Sequence, residues 1–219
     1  MSEQHHDHDH EEEHAPHPGQ APDIELSERA KRLLAMKELL IEKGIIGRGE
    51  VEERVAFMKS RSPTDGARVV ARAWVDPDFK QHLLEDVEAA IAALGYTLQH
   101  QTKLIVVENT AETHNVIVCT LCSCYPTALL GPPPDWYKSL PYRSRVVRDP
   151  RSVLNEFGFQ PPQDMQVRVL DSTADTRFLV LPRRPERTDG MSEEELAKLV
   201  TRDSMIGVAE ALKPQAVSV

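Results

Sequence analysis

The chain has few aromatic residues, no long apolar run and only three cysteines. Aromatic residues make up 5% and hydrophobic residues 40% of its 219 positions. We therefore expect either a sizeable tail or a core that is completed against another subunit. No apolar run approaches the ~20 residues of a membrane span, and no basic-then-apolar signal pattern begins the chain, so we predict a soluble, cytoplasmic protein. An odd cysteine count argues against a secreted disulfide framework.

Positive charge is also scarce. The formal net charge is −9, and the first 24 residues hold seven acidic side chains and six of the nine histidines but no Lys or Arg. Residues 25–219 carry 28 acidic and 26 basic side chains, so a nucleic-acid-binding face is not expected. We predict that residues 1–23 form a disordered tail, since it has nothing apolar to bury. The tail either gathers divalent metal loosely or is simply solvated.

The hydrophobic pattern divides the rest of the chain into three parts. Apolar residues recur at helical spacing over 24–43, Gly44 supplies a stop, and a second helix is predicted over 50–59 before a turn at 60–66. We expect residues 24–65 to be a helical arm that contacts a partner subunit, with a local helical hairpin as the alternative. Residues 66–212 are predicted to form a metal-binding catalytic domain, and 213–219 a C-terminal tail.

Within residues 66–212 the predicted order is helices, strands, a helix, strands and a final helix. Helices are expected over 67–74, 77–94 and 149–157 and after the capping box at 192–195, and β-branched strands over 104–108, 115–119, 166–170 and 177–181. This order favours an α+β fold over a doubly wound parallel sheet. We predict a layered α/β/β/α-type domain with short, largely antiparallel strands.

All three cysteines lie within six residues, at Cys119, Cys122 and Cys124. A tight turn after a strand would bring the three sulfurs together, with the backbone amides around Ser123 facing the same point. Three soft sulfurs with backbone nitrogens suit iron or cobalt better than tetrahedral zinc. Two alternatives remain at this level: a zinc site completed by a remote histidine, His114 or His100, and a redox thiol pair.

The sequence VCTLCSCYP at 118–126 resembles the metal-binding claw of nitrile hydratase α subunits. The similarity continues through RAWVDP at 72–77, ENT at 108–110, PYRSRVV at 141–147 and LVTRDSMIG at 199–207, so it covers nearly everything from residue 25 onward. Thr120 and Tyr125 match the cobalt type of the family. The resemblance therefore implies a non-corrin Co(III) cofactor, with Fe(III) as the alternative.

The resemblance also implies roles for individual residues. Cys119, Cys122 and Cys124 would be sulfur ligands, and the backbone nitrogens of Ser123 and Cys124 would complete the metal-binding set. Cys122 would be oxidised to a sulfinate and Cys124 to a sulfenate, which makes Cys122, Ser123 and Cys124 the expected catalytic group. Further residues are expected to support the ligands or to line the pocket: Thr120, Tyr125, Thr127 and Gln99.

Three partners follow from the same resemblance: a β subunit in a heterodimer or heterotetramer, a cobalt-loading activator protein and a small nitrile substrate. Arginines that pair with the oxidised sulfurs are expected from the β subunit. Arg143 and Arg145 are local candidates that we expect to serve helix packing and the interface instead.

One position departs from the family pattern. Thr127 stands where cobalt nitrile hydratases commonly have Trp and where the related thiocyanate hydrolase γ subunit typically has Arg. Hydration of thiocyanate is therefore the enzymatic alternative to hydration of a nitrile. An alternative from another class is a non-catalytic metal-storage or metallochaperone module, which predicts exchangeable metal and unoxidised thiols.

Overall fold

A computed structural model describes residues 26–98 and 102–214. The predicted tail at 1–23, the residues Gln99 and His100 and most of the predicted C-terminal tail lie outside these ranges. The helices are α1 Glu28–Glu42, α2 Glu50–Ser60, α3 Pro63–Val75, α4 Pro77–Glu85, α5 Val87–Ala92, α6 Thr127–Leu130, α7 Asp135–Lys138, α8 Leu140–Arg145, α9 Pro150–Glu156, α10 Glu193–Ala197 and α11 Arg202–Ile206. The strands are β1 Lys103–Glu108, β2 Thr113–Val118, β3 Gln166–Asp171 and β4 Thr176–Leu181.

The chain divides into two units, and the first of them ends at Val51. Its helix α1 begins where the side chain of Ser27 accepts a hydrogen bond from the backbone N–H of Ala30, and it ends before Gly44, whose φ is +67°. No residue of α1 is buried. Its large apolar side chains are exposed, among them Leu33 and Met36. The helix predicted over 24–43 is confirmed, with a later start set by the Ser27 cap.

Side-chain caps set the helix boundaries of the second unit, Glu52–Val219. The predicted turn at 60–66 was wrong in its second half, because the backbone N–H of Ser62 donates to Asp65 and Pro63 takes the first helical position of α3. The single helix predicted over 77–94 is instead two helices. Asp86 interrupts it, since its carboxylate accepts a hydrogen bond from the N–H of Ala89 and so starts α5.

The strands pair in parallel, which corrects the prediction of largely antiparallel strands. β1 pairs with β4, and β2 pairs with β3, in two separate two-stranded sheets. The short links at 109–112 and 172–175 suggest hairpins, but each link carries the chain from one sheet to the other. Asn109 explains the first crossing: its backbone N–H donates to Leu181 in β4, and its side chain accepts the backbone N–H of Asn115 in β2.

Strand β2 lies in the middle of the hydrophobic core. Five of its six residues are buried, so it has no solvent-facing side, as is usual for parallel strands covered on both faces. Helix α11 packs against it so closely that Gly207 adjoins the backbone of Asn115. β2 thus presents its last residue, Val118, from a rigid base. Within the described ranges, no helix is both long enough and apolar enough to cross a membrane.

Candidate metal centre

The three cysteine sulfurs converge directly after β2. Cys119 Sγ lies 3.5 Å from Cys122 Sγ, which lies 3.1 Å from Cys124 Sγ. All three Sγ atoms lie within 4.8 Å of one another, and no disulfide joins them. Cys119 and Cys124 are buried, whereas Cys122 is exposed. The loop therefore forms a compact sulfur cluster, called the claw below, with one accessible side.

Two charged side chains fix the backbone at the start of the claw. One donates to its carbonyl groups, and the other accepts hydrogen bonds from Thr120. Arg143 in α8 donates from Nε to the carbonyl of Cys119 at 3.0 Å and from Nη2 to the carbonyl of Thr120 at 2.6 Å. Asp171, the last residue of β3, accepts from Thr120 N at 2.9 Å and from Thr120 Oγ1 at 2.5 Å. Four hydrogen bonds with charged partners thus fix the peptide between the first cysteine and the turn.

An aromatic cluster supports the claw from behind. The hydroxyl of Tyr137 donates to the carbonyl of Cys124 at 2.8 Å, and that of Tyr142 donates to the carbonyl of Ile117 at 2.6 Å. Trp136 packs edge-on against Tyr142 and Phe157, with ring centroids 4.9 and 4.8 Å apart. The apolar bodies of these rings belong to the core, while the two tyrosine hydroxyls satisfy one backbone carbonyl in β2 and one in the claw.

The thiols of the claw differ in acidity. Hydrogen bonds from the Cys124 thiol, then from the Cys119 thiol and the Ser123 N–H, lower the pKa of Cys122 to about 7. Burial, followed by the hydrogen bond to Cys122, raises the pKa of Cys124 to about 12, against an opposing effect of the Arg177 charge. Cys122 therefore ionises before Cys124, and thiolate is the form that binds metals.

The donor set fits a metal that accepts sulfur and backbone nitrogen together. The backbone N–H groups of Ser123 and Cys124 contribute to the lowered pKa of Cys122, so these two amide nitrogens lie close to the sulfurs. In the part of the chain that the structure describes, no other group of three His, Cys, Asp or Glu side chains has metal-binding geometry. The set of three soft sulfurs with adjacent nitrogens matches iron or cobalt rather than tetrahedral zinc.

His114, one of the two candidate fourth zinc ligands, does not join the sulfurs. It is buried, its Nε2 lies 2.7 Å from the carbonyl oxygen of Gly207, and its Nδ1 lies 3.2 Å from Asn109 Nδ2. Burial lowers its pKa, so the ring is kept neutral between β2 and α11. His114 is thus a core residue that links these two elements.

A cavity of about 370 Å³ opens at the claw. Cys122, Ser123 and Cys124 line it, and so do the predicted pocket residues Tyr125 and Thr127. Thr120 is not among the lining residues, because its side chain turns to Asp171. The remaining wall is formed by Arg54, Leu98, Thr102, Leu104, Pro126, Ala128 and Arg177.

The sequence analysis missed Asp171 and Arg177. Parallel pairing would have indicated Asp171. The ends of parallel strands meet at one edge of a sheet, and Asp171 is in register with Val118. Because the strands were predicted to be antiparallel, that juxtaposition was not expected.

Replacing Asp171 with Asn is expected to loosen the claw without dismantling the fold. Asp171 is exposed, so the fold does not depend on burying it, but the amide cannot accept from both Thr120 N and Thr120 Oγ1 as a charged carboxylate does. We expect cobalt affinity to fall about 10- to 100-fold, the range typical of groups that support metal ligands. Chelator competition measures this loss. Asp175→Asn is the control. This exposed residue lies at the far end of the 172–175 link that follows Asp171, and its substitution should leave cobalt affinity unchanged.

The protein has a mixed helix-and-strand fold, and its cluster of three thiols, set after a buried strand at the wall of a small cavity, could hold a metal ion. The family model described as "Nitrile hydratase, alpha chain" matches residues 27–209. The chain belongs to this family.

Individual relatives support the same assignment. The α subunit of the high-molecular weight cobalt-containing nitrile hydratase from Rhodococcus rhodochrous is 51% identical over 195 residues, covering 88% of this chain and 96% of that protein. The thiocyanate hydrolase γ subunit of Thiobacillus thioparus is 43% identical, and the match covers 80% of this chain and 77% of that protein. A double mutant of the Fe-type nitrile hydratase from Comamonas testosteroni Ni1 has a similar structure, with a TM-score of 0.78 and 42% identity. The match covers 86% of this chain and 95% of that chain.

Proposed function

We propose that this chain is the α subunit of a cobalt nitrile hydratase, a lyase that adds water to a nitrile to give an amide. The observation that carries the proposal is the convergence of the Cys119, Cys122 and Cys124 sulfurs at the wall of a small cavity, in a chain of this family. Its relatives in Rhodococcus rhodochrous and Pseudonocardia thermophila are named as cobalt-containing.

The proposed metal ligands are the three claw sulfurs and the backbone nitrogens of Ser123 and Cys124. Thr120 and Tyr125 favour Co(III) over Fe(III), with Cys122 as a sulfinate and Cys124 as a sulfenate. Co(III) bound there would supply Lewis acidity, which polarises a nitrile or a water molecule. Three unpaired cysteines also fit a cytoplasmic protein, since cytosolic thiols are kept reduced.

The chain's own residues shape where the reaction takes place. The cavity holds the volume of roughly twelve water molecules, so it suits a small substrate. Leu98 and Leu104 provide an apolar wall for a hydrocarbon group, and Ser123 and Thr127 provide hydroxyls. A sulfenate oxygen on Cys124 would face the substrate from the cavity wall. Water adds with its oxygen to the nitrile carbon and a proton to the nitrogen, and the resulting imidate tautomerises to the amide.

We propose that a β subunit covers the surfaces that this chain leaves exposed. Helix α1 buries no residue, and Leu121, between two claw cysteines, is 81% exposed. Large apolar side chains at such positions are typical of protein interfaces. The assembly is a heterodimer or heterotetramer, and the buried claw is proposed to be loaded by a separate activator protein.

Thiocyanate hydrolysis is the second candidate, and the cavity gives a specific reason for it. Of the residues that the structure describes, two arginines, Arg54 and Arg177, and no carboxylate line the cavity, so an anion such as thiocyanate would enter it favourably. Thr127 lacks the indole that commonly closes the pocket of cobalt nitrile hydratases, which leaves this end of the cavity more polar.

The proposed function is tested by assaying the complex co-expressed with its β subunit in cobalt medium. We expect a small aliphatic nitrile to be converted to its amide with kcat on the order of 10 s⁻¹, and thiocyanate to react at least about tenfold more slowly. The isolated α chain is expected to be inactive, because the partner completes the pocket. Faster reaction with thiocyanate would favour the second candidate, and exchangeable cobalt with no turnover of either substrate would indicate metal storage.

A further inference from the structure

We propose that Arg177 is the cation by which this chain itself balances the negative charge of the claw at Cys124. The inference rests on the proposed metal centre and adds a positioning residue to it. Pairing arginines were expected from the partner subunit, with Arg143 and Arg145 as the local candidates. The contacts of these three arginines now distinguish their roles.

A charge partner is needed because the claw carries charge in a largely buried position. Metal binding requires deprotonated cysteines, and Cys124 is 8% exposed. A buried anion without a partner is strongly unfavourable. The apolar neighbours in the cavity wall, among them Leu104 and Pro126, offer no compensation.

The two local candidates named from the sequence are already engaged. Arg143 uses Nε and Nη2 on the carbonyls of Cys119 and Thr120, so it holds the backbone of the claw rather than its sulfurs. Arg145 pairs with Glu156 through both terminal nitrogens.

Arg177 is placed and oriented for the role. It lines the same cavity as Cys124. Its Nη1 donates to the carbonyls of Thr173, Ala174 and Thr176, which fixes the side chain at the start of β4. Among the described residues no hydrogen-bond partner is found for its Nε and Nη2, so one edge of the guanidinium is free for an anion.

No described acidic side chain neutralises this arginine. Within residues 26–98 and 102–214, no Asp or Glu lines the cavity, and Arg177 forms no ion pair. A guanidinium edge with free donors can donate a charge-assisted hydrogen bond to a thiolate or to the oxygen of an oxidised sulfur. The charge is therefore reserved for the claw or for a molecule bound beside it.

The test compares variants of the cobalt-loaded complex. Arg177→Gln is expected to weaken cobalt retention about 10- to 100-fold against a chelator and to shift the sulfur-to-cobalt charge-transfer absorption. Arg177→Lys keeps the positive charge but lacks the guanidinium whose Nη1 donates to three carbonyls, and it should restore retention to within about threefold of the wild type. Arg183→Gln, an exposed arginine that lines a different cavity, is the control and should match the wild type.

Three results would overturn the inference. Unchanged cobalt retention and absorption in Arg177→Gln would show that the claw does not need this charge, and a raised KM with intact cobalt would assign Arg177 to the substrate instead. Loss of cobalt retention in Arg177→Lys as well as in Arg177→Gln would mean that Arg177 holds the 173–176 turn. The Arg177→Lys variant can still be compared with the wild type if the Gln variant does not fold. A wild-type complex that binds no cobalt would refute the proposed function itself.

Discussion

Replacing Cys119 with serine is expected to abolish stable cobalt binding and to lower nitrile hydration at least about 100-fold. Cys119 is fully buried at the end of β2, and its sulfur lies 3.5 Å from that of Cys122. Serine has nearly the same shape, so the fold should survive. Its hydroxyl is a hard donor that does not ionise at neutral pH, unlike the soft thiolate that it replaces. Elemental analysis of the purified complex and its kcat measure both effects.

Ser123→Ala provides the matched control for this experiment. The proposed ligand at this position is the backbone nitrogen, which alanine retains, so we expect the cobalt content to stay at the wild-type level. A Cys119→Ser complex that also retained full cobalt would contradict the assignment of Cys119 as a ligand. Loss of cobalt from both variants would indicate that the loop conformation, and not the individual sulfur, controls binding.

Substituting alanine for Gly207 is expected to reduce the free energy of unfolding by roughly 4 kcal/mol, an unusually large value for one methyl group. Gly207 ends α11 with φ +84°, a conformation that L-residues rarely adopt. A Cβ at this position would lie 1.9 Å from the carbonyl oxygen of Asn115 and 2.9 Å from its carbonyl carbon. Helix α11 would have to move away from β2, the strand that leads into the claw.

Gly158→Ala separates the steric clash from the backbone strain. Gly158 has φ +86°, almost the same as Gly207, but no atom lies within 4 Å of the position of its Cβ. We expect this control to cost only about 1 kcal/mol, the penalty of a left-handed conformation. Denaturant unfolding of both variants gives the comparison, and equal losses would show that α11 does not pack on β2 as closely as described.

The helices could be predicted because their signals are local. Asp76, Asp149 and Ser192 cap α4, α9 and α10 through hydrogen bonds to residues three positions further on, and such pairs are visible in the sequence. The split at Asp86 was missed, since a capping residue within a helical pattern is ambiguous until its own hydrogen bond is seen.

The strand pairing could not be predicted from local signals. Leu104 pairs with Arg177, and Val118 pairs with Asp171, across separations of more than fifty residues. The short polar links favoured hairpins, and only the buried contacts of Asn109 and Asn115 explain why the chain crosses between sheets instead. Register over such distances depends on packing that no short motif encodes.

The same distinction applies to the metal centre. The three claw cysteines lie within six residues, so the motif indicated the whole cluster at once. Asp171 and Arg177 reach the claw only through the parallel sheets, which is why the sequence did not reveal them. Arg143 was expected to serve helix packing and the interface, and the structure shows that it holds the carbonyls of Cys119 and Thr120.

The mass of the peptide that contains residues 119–124, taken from the cobalt-loaded complex, tests the central claim most directly. The proposed function predicts three added oxygen atoms, two on Cys122 as a sulfinate and one on Cys124 as a sulfenate, with Cys119 unmodified. An unmodified peptide whose three thiols are readily alkylated would contradict the catalytic claw and would leave a zinc or metal-storage site in its place.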